Sequence, residues 1–183
     1  MRLLIEREHD LSLWFYNGLR ADRVDADLLH LMKLAGTELI SYGLESIHDS
    51  ILYNMGKKLT LDQIETAIEL THQTGIQVRV SVMIGNIGDT FQTVKDTISW
   101  VKYNRYIDQA EFCMCTAYPN TPLYEWVKKH GRVLTDSEHS PTYFMDQEPL
   151  PSFDTLDFPA EQRVKALRIA QKMVQRKNAF KGK

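Results

Sequence analysis

Only two cysteines, Cys113 and Cys115, occur in the 183 residues. With one residue between them they cannot form an ordinary structural disulfide or a complete metal site, which argues against a disulfide-stapled secreted fold. No apolar run approaches the length needed to cross a bilayer, and the first residues lack the basic, apolar and small-residue succession of a signal peptide, so the sequence reads as cytoplasmic. Charge of one sign is also missing: 22 Lys and Arg stand against 24 Asp and Glu, for a formal net charge of -2. Nothing electrostatic therefore points to nucleic acid or to an acidic membrane surface. The six histidines are scattered and make no close metal-binding pair. No glycine-rich dinucleotide fingerprint follows the first strand-like segment, and no Gly-Lys-Ser or Gly-Lys-Thr of a Walker loop occurs.

What remains has the make-up of an ordinary globular domain, 43% hydrophobic and 25% charged. Four segments rich in β-branched, aromatic or aliphatic residues read as strands: Leu11 to Tyr16, Glu38 to Gly43, Gln77 to Ile84 and Gln109 to Thr116. Between them lie apolar stripes of helical period, carried by Leu28, Leu29, Met32 and Ala35, then Ile64, Ala67, Ile68 and Thr71, then Phe91, Val94, Ile98 and Val101. Thr60 with Gln63 and Asp89 with Gln92 are spaced as capping boxes, and Gly36 and Gly75 fit the matching C-terminal stops. Thr121 followed by Pro122 opens another helix that Gly131 closes. Alternating strands and helices imply crossover connections and a parallel α/β sheet. Periodicity leaves an open doubly wound sheet and a barrel equally allowed.

Beyond Gly131 the chain changes character. Pro141, Pro149, Pro151 and Pro159 punctuate an acidic, irregular stretch before a final helix from about Ala160 to Asn178. We read residues 1–131 as the α/β unit and 132–183 as a lid or tail. The basic face of its helix is either solvated or a docking surface.

In parallel α/β folds, chemistry gathers just beyond the carboxyl ends of the strands. Arg20, after the first strand, offers a planar fork for a carboxylate or forms a surface ion pair with Asp22. Ser41, Gly43, Glu45 and Ser46 combine hydroxyls, a permissive glycine and an acid at the second exit. Glu45 suits ribose hydroxyls or an ammonium, or serves only as a helix-start acid. Gly85 to Thr90 leads from the third strand into a helix, exposing backbone to a flat or anionic ligand, or making a plain turn with an Asp cap. Tyr118 and Pro119 follow the fourth strand, where Tyr118 lines a pocket or the segment is simply a rigid turn. Alternation along that strand puts Cys113 and Cys115 on one face, as buried small hydrophobes or as a reactive pair.

Taken in order and spacing, NGLRADRVDADLLHLMKLAG, SYGLES, SVMIGNIGDT and TAYPNTPLYEW resemble the second half of radical S-adenosylmethionine (SAM) domains, closest to the branch shared by Elongator-type and cobalamin-dependent members. The resemblance covers Met1 to about Gly131. It implies a partial parallel (β/α) barrel of the radical SAM type, with about four strand–helix units and a C-terminal helical tail. It implies that Ser41, Gly43, Glu45 and Ser46 lie in the motif contacting the ribose or methionine part of SAM, with Glu45 foremost. It places Ile84, Gly85 and Gly88 near the adenine, Tyr118 and Pro119 in the turn flanking that pocket, and Arg20 near the cofactor carboxylate. Where relatives commonly read Gly-Leu-Pro-Gly-Glu-Thr, this sequence has Asn86, Ile87 and Asp89 in the second, third and fifth places.

The CxxxCxxC motif that holds the family's 4Fe-4S cluster does not occur among these 183 residues, which offer no ligand set for it. The resemblance therefore implies a radical SAM domain whose parent cleaves SAM reductively, with cobalamin a further cofactor of the branch, and which is not competent by itself. The alternative is a noncatalytic SAM- or nucleotide-binding or protein-interaction module. With two strands of the barrel missing, the first strand, around Trp14 and Phe15, should be an open edge, and inward-facing apolar residues should lose their opposing wall. That predicts association, with a cluster-bearing N-terminal half or with a second copy.

Overall fold

The computed structural model describes residues 1–7, 9–135 and 150–181, without the side chains of 176–181. Pro141 and Pro149, and most of the irregular stretch, lie outside the described residues. The elements run α1 (Arg2–Glu6), β1 (Leu13–Leu19), a 3-10 turn (Ala21–Arg23), α2 (Ala26–Leu34), β2 (Thr37–Glu45), α3 (Asp49–Asn54) and α4 (Leu61–Gln73). They continue with β3 (Gln77–Ile84), α5 (Phe91–Tyr103), β4 (Gln109–Met114), α6 (Pro122–His130), β5 (Gly131–Val133), β6 (Phe153–Thr155) and α7 (Ala160–Lys181).

The first four strands form one sheet in the order β1-β2-β3-β4, and all three pairings are parallel. Strand order follows chain order, so right-handed crossovers place every connecting helix on the same side. The burial agrees: Ile40, Tyr42, Leu44, Val78, Val80, Val82, Ile84, Ala110 and Phe112 share one core with Leu29 and Met32 of α2, Ile64, Ala67 and Ile68 of α4, and Val94, Ile98 and Val101 of α5. This one-sided layering is that of a half barrel, and it decides the choice that periodicity left open. Inside the core Tyr42 Oη and Thr71 Oγ1 bond at 2.7 Å, and burial pushes the Tyr42 phenol up to about 12.

Thr60 and Gln63 form the expected capping box. The second box is shifted by one residue, with Thr90 as the cap and Thr93 as its partner. Asp89 is drawn away because its carboxylate accepts from the Gly85 and Asn86 N–H groups at 2.9 Å each, folding the turn back on itself. Cys115 falls just past the end of β4 and is buried, whereas Cys113 lies on the strand with its thiol only partly covered.

The face away from the helices corrects the expectation of an exposed apolar wall. Register puts Ser41 beside Arg79 and Gln109, and Gly43 beside Ser81 and Glu111. Arg79 pairs with Glu111 on β4 at 2.5 Å and reaches back across β2 to stack on Tyr16, 5.1 Å from the ring centroid. The open face is thus mainly polar, with Trp14 and Tyr16 as its exposed aromatics at 51% and 45% exposure. β1 does lie at the sheet edge. Its Trp14 indole N–H is held by Ser12 and Glu38 at 2.8 and 2.9 Å.

The final helix does not lie loose. Ala166, Leu167, Ala170 and Met173 enter the main core. Arg163, 1% exposed, donates through Nη1 to the Gly85 carbonyl at 3.1 Å and through Nε to the Phe158 carbonyl at 2.9 Å. Its guanidinium also lies over the rings of Phe153 and Phe158, at 4.3 and 5.0 Å. Burial lowers its pKa to about 10, which still leaves it charged at neutral pH. Arg163→Ala is expected to destabilise the protein by about 3 kcal/mol, from two charge-assisted bonds at roughly 1.5 kcal/mol each. Urea unfolding measures this, and a loss below about 1 kcal/mol would show that the arginine does not hold α7 to the sheet.

Candidate functional site

The carboxyl ends of β1 to β4 gather the residues singled out from the sequence, and Glu45 is their centre. It is the last residue of β2 and has φ +59°, a left-handed conformation that disfavours any residue with a Cβ. The pairing with β3 slips at the same place, between Gly43 and Glu45. The turned backbone delivers the Glu45 carboxylate to the Lys57 ammonium at 3.0 Å. The two side chains are 15% and 18% exposed, so the pair is largely but not wholly removed from water.

Gly43 lies beneath this pair. A Cβ there would stand 2.6 Å from Glu45 Oε1 and 2.7 Å from Lys57 Nζ, so glycine leaves the space in which the ion pair rests. Ser41, two residues earlier on the same face, is 1% exposed. Arg79, its neighbour in register, crosses β2 to reach Tyr16. Ser46 is buried, and its hydroxyl accepts from the His48 N–H at 3.2 Å, ordering the entry to α3. Of the four strand-end residues, Gly43 and Glu45 therefore meet directly, Ser46 shapes the turn, and Ser41 is covered.

The other expected residues are placed differently. Arg20 is exposed and makes a forked pair with Asp22, Nε to Oδ1 at 2.9 Å and Nη2 to Oδ2 at 3.0 Å. Ile84 is fully buried in the helix-side core, and its carbonyl accepts from the Cys115 N–H at 2.8 Å. Gly85 has φ +97°, and a Cβ there would collide with the Arg163 guanidinium at 2.3 Å, so this glycine makes room for an arginine from α7. Gly88 faces α3, where a Cβ would come within 3.0 Å of the Asn54 amide. Tyr118 and Pro119 are exposed, and Thr121 Oγ1 donates to the Tyr118 carbonyl at 2.6 Å. Burial pushes the Asp89 carboxyl up, while its bonds to Asn86, Thr93 and Gly85 and the charge of Arg163 pull it down.

Lys57 and Arg163 escaped sequence reasoning. Lys57 lies in a basic turn, Gly56-Lys57-Lys58, that looks solvent-facing, and Arg163 is one of many cations on a basic helix. Neither carries a local signal, because each is defined by a partner far along the chain.

Two cofactor chemistries can be tested against these groups. The Glu45 and Lys57 pair presents an acid and an ammonium side by side, complementary to an ammonium and carboxylate or to vicinal hydroxyls, which suits SAM. An iron–sulfur cluster does not fit. It needs three thiolates, and the chain has two cysteines. Cys113 turns its thiol to the Val82 carbonyl at 3.6 Å, and burial, with Glu45 and Glu111 nearby, pushes it up to about 11. Burial pushes Cys115 up to about 12. Among the described residues no group of three or more His, Cys, Asp or Glu could hold a metal ion.

Residues 3–101 match the family model of the Radical SAM superfamily. The chain is 28% identical over 129 residues to an uncharacterized methyltransferase of Pyrococcus horikoshii, covering 70% of this chain and 28% of that protein. Its fold is similar to that of TsrM, a radical S-adenosylmethionine methyltransferase of Kitasatospora setae solved with cobalamin and a 4Fe-4S cluster bound: TM-score 0.67, 17% identity, 94% of this chain and 39% of that one. It is also similar to the archaeal Elp3 of Methanocaldococcus infernus, with TM-score 0.60, 16% identity, and coverage of 88% and 42%. The half barrel is thus a radical SAM fold, and the chain belongs to the Radical SAM superfamily. It spans only 28% of the length of the Pyrococcus relative.

Glu45 keeps a backbone conformation that costs roughly 1–2 kcal/mol for a residue with a side chain. Its partly exposed ion pair returns at most about 1 kcal/mol. Glu45→Gly is therefore expected to leave stability unchanged or raise it by about 1 kcal/mol. Thermal and urea unfolding check this. A loss above about 1 kcal/mol would mean that the carboxylate is retained for the fold.

Proposed function

We propose that this chain supplies the SAM-binding strand ends of a radical SAM barrel, while the thiolates for the cluster come from residues outside these 183. The observation that carries this reading is Glu45, held in a left-handed conformation at the exit of β2 with its carboxylate on Lys57 above Gly43. Glu45 and Lys57 bind the polar groups of the cofactor, Gly43 keeps their space open, and Ser46 fixes the turn that carries them. Arg20, Tyr118 and Pro119 are exposed at neighbouring strand ends and close around the ligand from those sides. When bound beside a reduced cluster, SAM supplies the radical chemistry of the parent. The chain alone has no ligand set for that cluster, so it binds without cleaving. The open edge of β1 is where a cluster-bearing half, or a second copy, adds its strand.

Arg163 favours a second reading. Its guanidinium rests against Gly85, where the family resemblance places the adenine, and a chain that has filled that position is a noncatalytic binding or interaction module.

Calorimetric titration with SAM separates the two. On the first reading wild type binds, and Glu45→Ala and Lys57→Ala each weaken binding at least about tenfold, which corresponds to roughly 1.4 kcal/mol. No heat at millimolar SAM, or equal affinity in both variants, would discard the cofactor role. Light scattering at micromolar concentration tests the edge: self-association, reversed by a Pro substitution at Phe15, is expected if a second copy is the partner. A monodisperse monomer would remove the second copy as its occupant.

A further inference from the structure

Away from Glu45, the polar face of the sheet carries a second acid–base pair beside an open cleft. A cavity of about 530 Å3 opens between β4 and α7, lined by Arg79, Gln109, Glu111, Phe112, Gln171 and Gln175 among others. That volume lies inside the roughly 300–1,000 Å3 range of small-molecule sites. Its rim is a set of carboxamides that can each donate and accept. Gln109 leans on Gln77, Nε2 to Oε1 at 3.4 Å, which steadies one side.

The charged pair gives the cavity its selectivity. Arg79 is held on one side by the Tyr16 ring and on another by Glu111, so its planar fork is fixed before any ligand arrives. Glu111 is the more exposed partner, with a side chain 47% exposed against 19% for Arg79. A cation and an anion in contact within one cavity are the complement of an ammonium and carboxylate separated by a single carbon. An anion alone would meet repulsion from Glu111, and a cation alone from Arg79. We infer that this cavity binds a zwitterionic α-amino acid, its carboxylate on Arg79 and its ammonium on Glu111.

Glu111 is in register with Ser81 and Gly43, so the amino-acid site adjoins the Glu45 pair across the sheet face. It shares no residue with that pair, and the two can fail separately.

The test titrates the full chain with L-phenylalanine, 3-phenylpropionate and phenethylamine by ligand-detected NMR and calorimetry, with SAM titrated in parallel. L-phenylalanine is expected to bind saturably, and each analogue, lacking one charge, at least tenfold more weakly. Glu111→Gln should weaken L-phenylalanine at least tenfold. Gln171→Leu, on α7, should weaken it severalfold and leave the SAM titration unchanged. Far-UV circular dichroism and thermal unfolding confirm that both variants fold. If L-phenylalanine does not bind up to its solubility, if the three ligands bind alike, or if folded Glu111→Gln binds as wild type does, the inference falls. SAM binding in the same samples shows whether the Glu45 reading falls with it.

Discussion

The constraint on which the rest depends is that the four parallel strands lie side by side in chain order. Parallel neighbours need crossovers, crossovers are right-handed, and an order that never reverses sends every helix to one side. Most of the apolar burial of the sheet therefore falls on the helix side, where Tyr42, Val80 and Phe112 meet α2, α4, α5 and α7. The opposite face is relieved of core duty and can carry charge. That is why a row such as Gly43, Ser81 and Glu111 is tolerated in the middle of a sheet. Strand ends and polar face together make the surface on which both proposed sites stand.

The second organising contact is the burial of Arg163. An isolated guanidinium in a protein interior is costly, and here two carbonyls and two aromatic rings receive it. The Gly85 turn is built around it: glycine leaves room for the guanidinium, and Asp89 gathers the Gly85 and Asn86 N–H groups from the other side. The β3 exit, which the sequence leaves open as a ligand loop or a plain turn, joins the sheet to the last helix through Arg163. The β2 exit is its opposite. Strain at Glu45 brings its carboxylate to the largely covered Lys57 and adds no apolar packing, the kind of feature on which the proposed binding role rests.

Much of the architecture was legible in the chain. The strand limits came within three residues at every end, because alternation and β-branched runs survive averaging over a few residues. Thr60, Thr121 and Pro122 mark helix starts by local chemistry alone, and the structure keeps them. The cap at Thr90 was missed because Asp89 is an equally good local acceptor, and only the folded turn assigns it elsewhere. The polarity of the inward face was missed as well. In β3 the residues Arg79 and Ser81 alternate with valines, but nothing local says which side faces helices and which faces an unfilled barrel.

What the sequence by itself determined is the set of local decisions: strands, helices, caps, the parallel α/β class, the family, and the absence of three cysteines that could hold a cluster. Those depend on period, on residue chemistry and on count, and each is complete within a short window or a composition. The tertiary structure alone decided the partners. Lys57 reaches Glu45 from twelve residues away, Glu111 reaches Arg79 from 32, and Arg163 reaches Gly85 from 78. A charged side chain reads the same in sequence whether it is solvated or buried. Only chain closure, which brings a particular opposite charge, carbonyl or ring within about 3–5 Å, gives it a role.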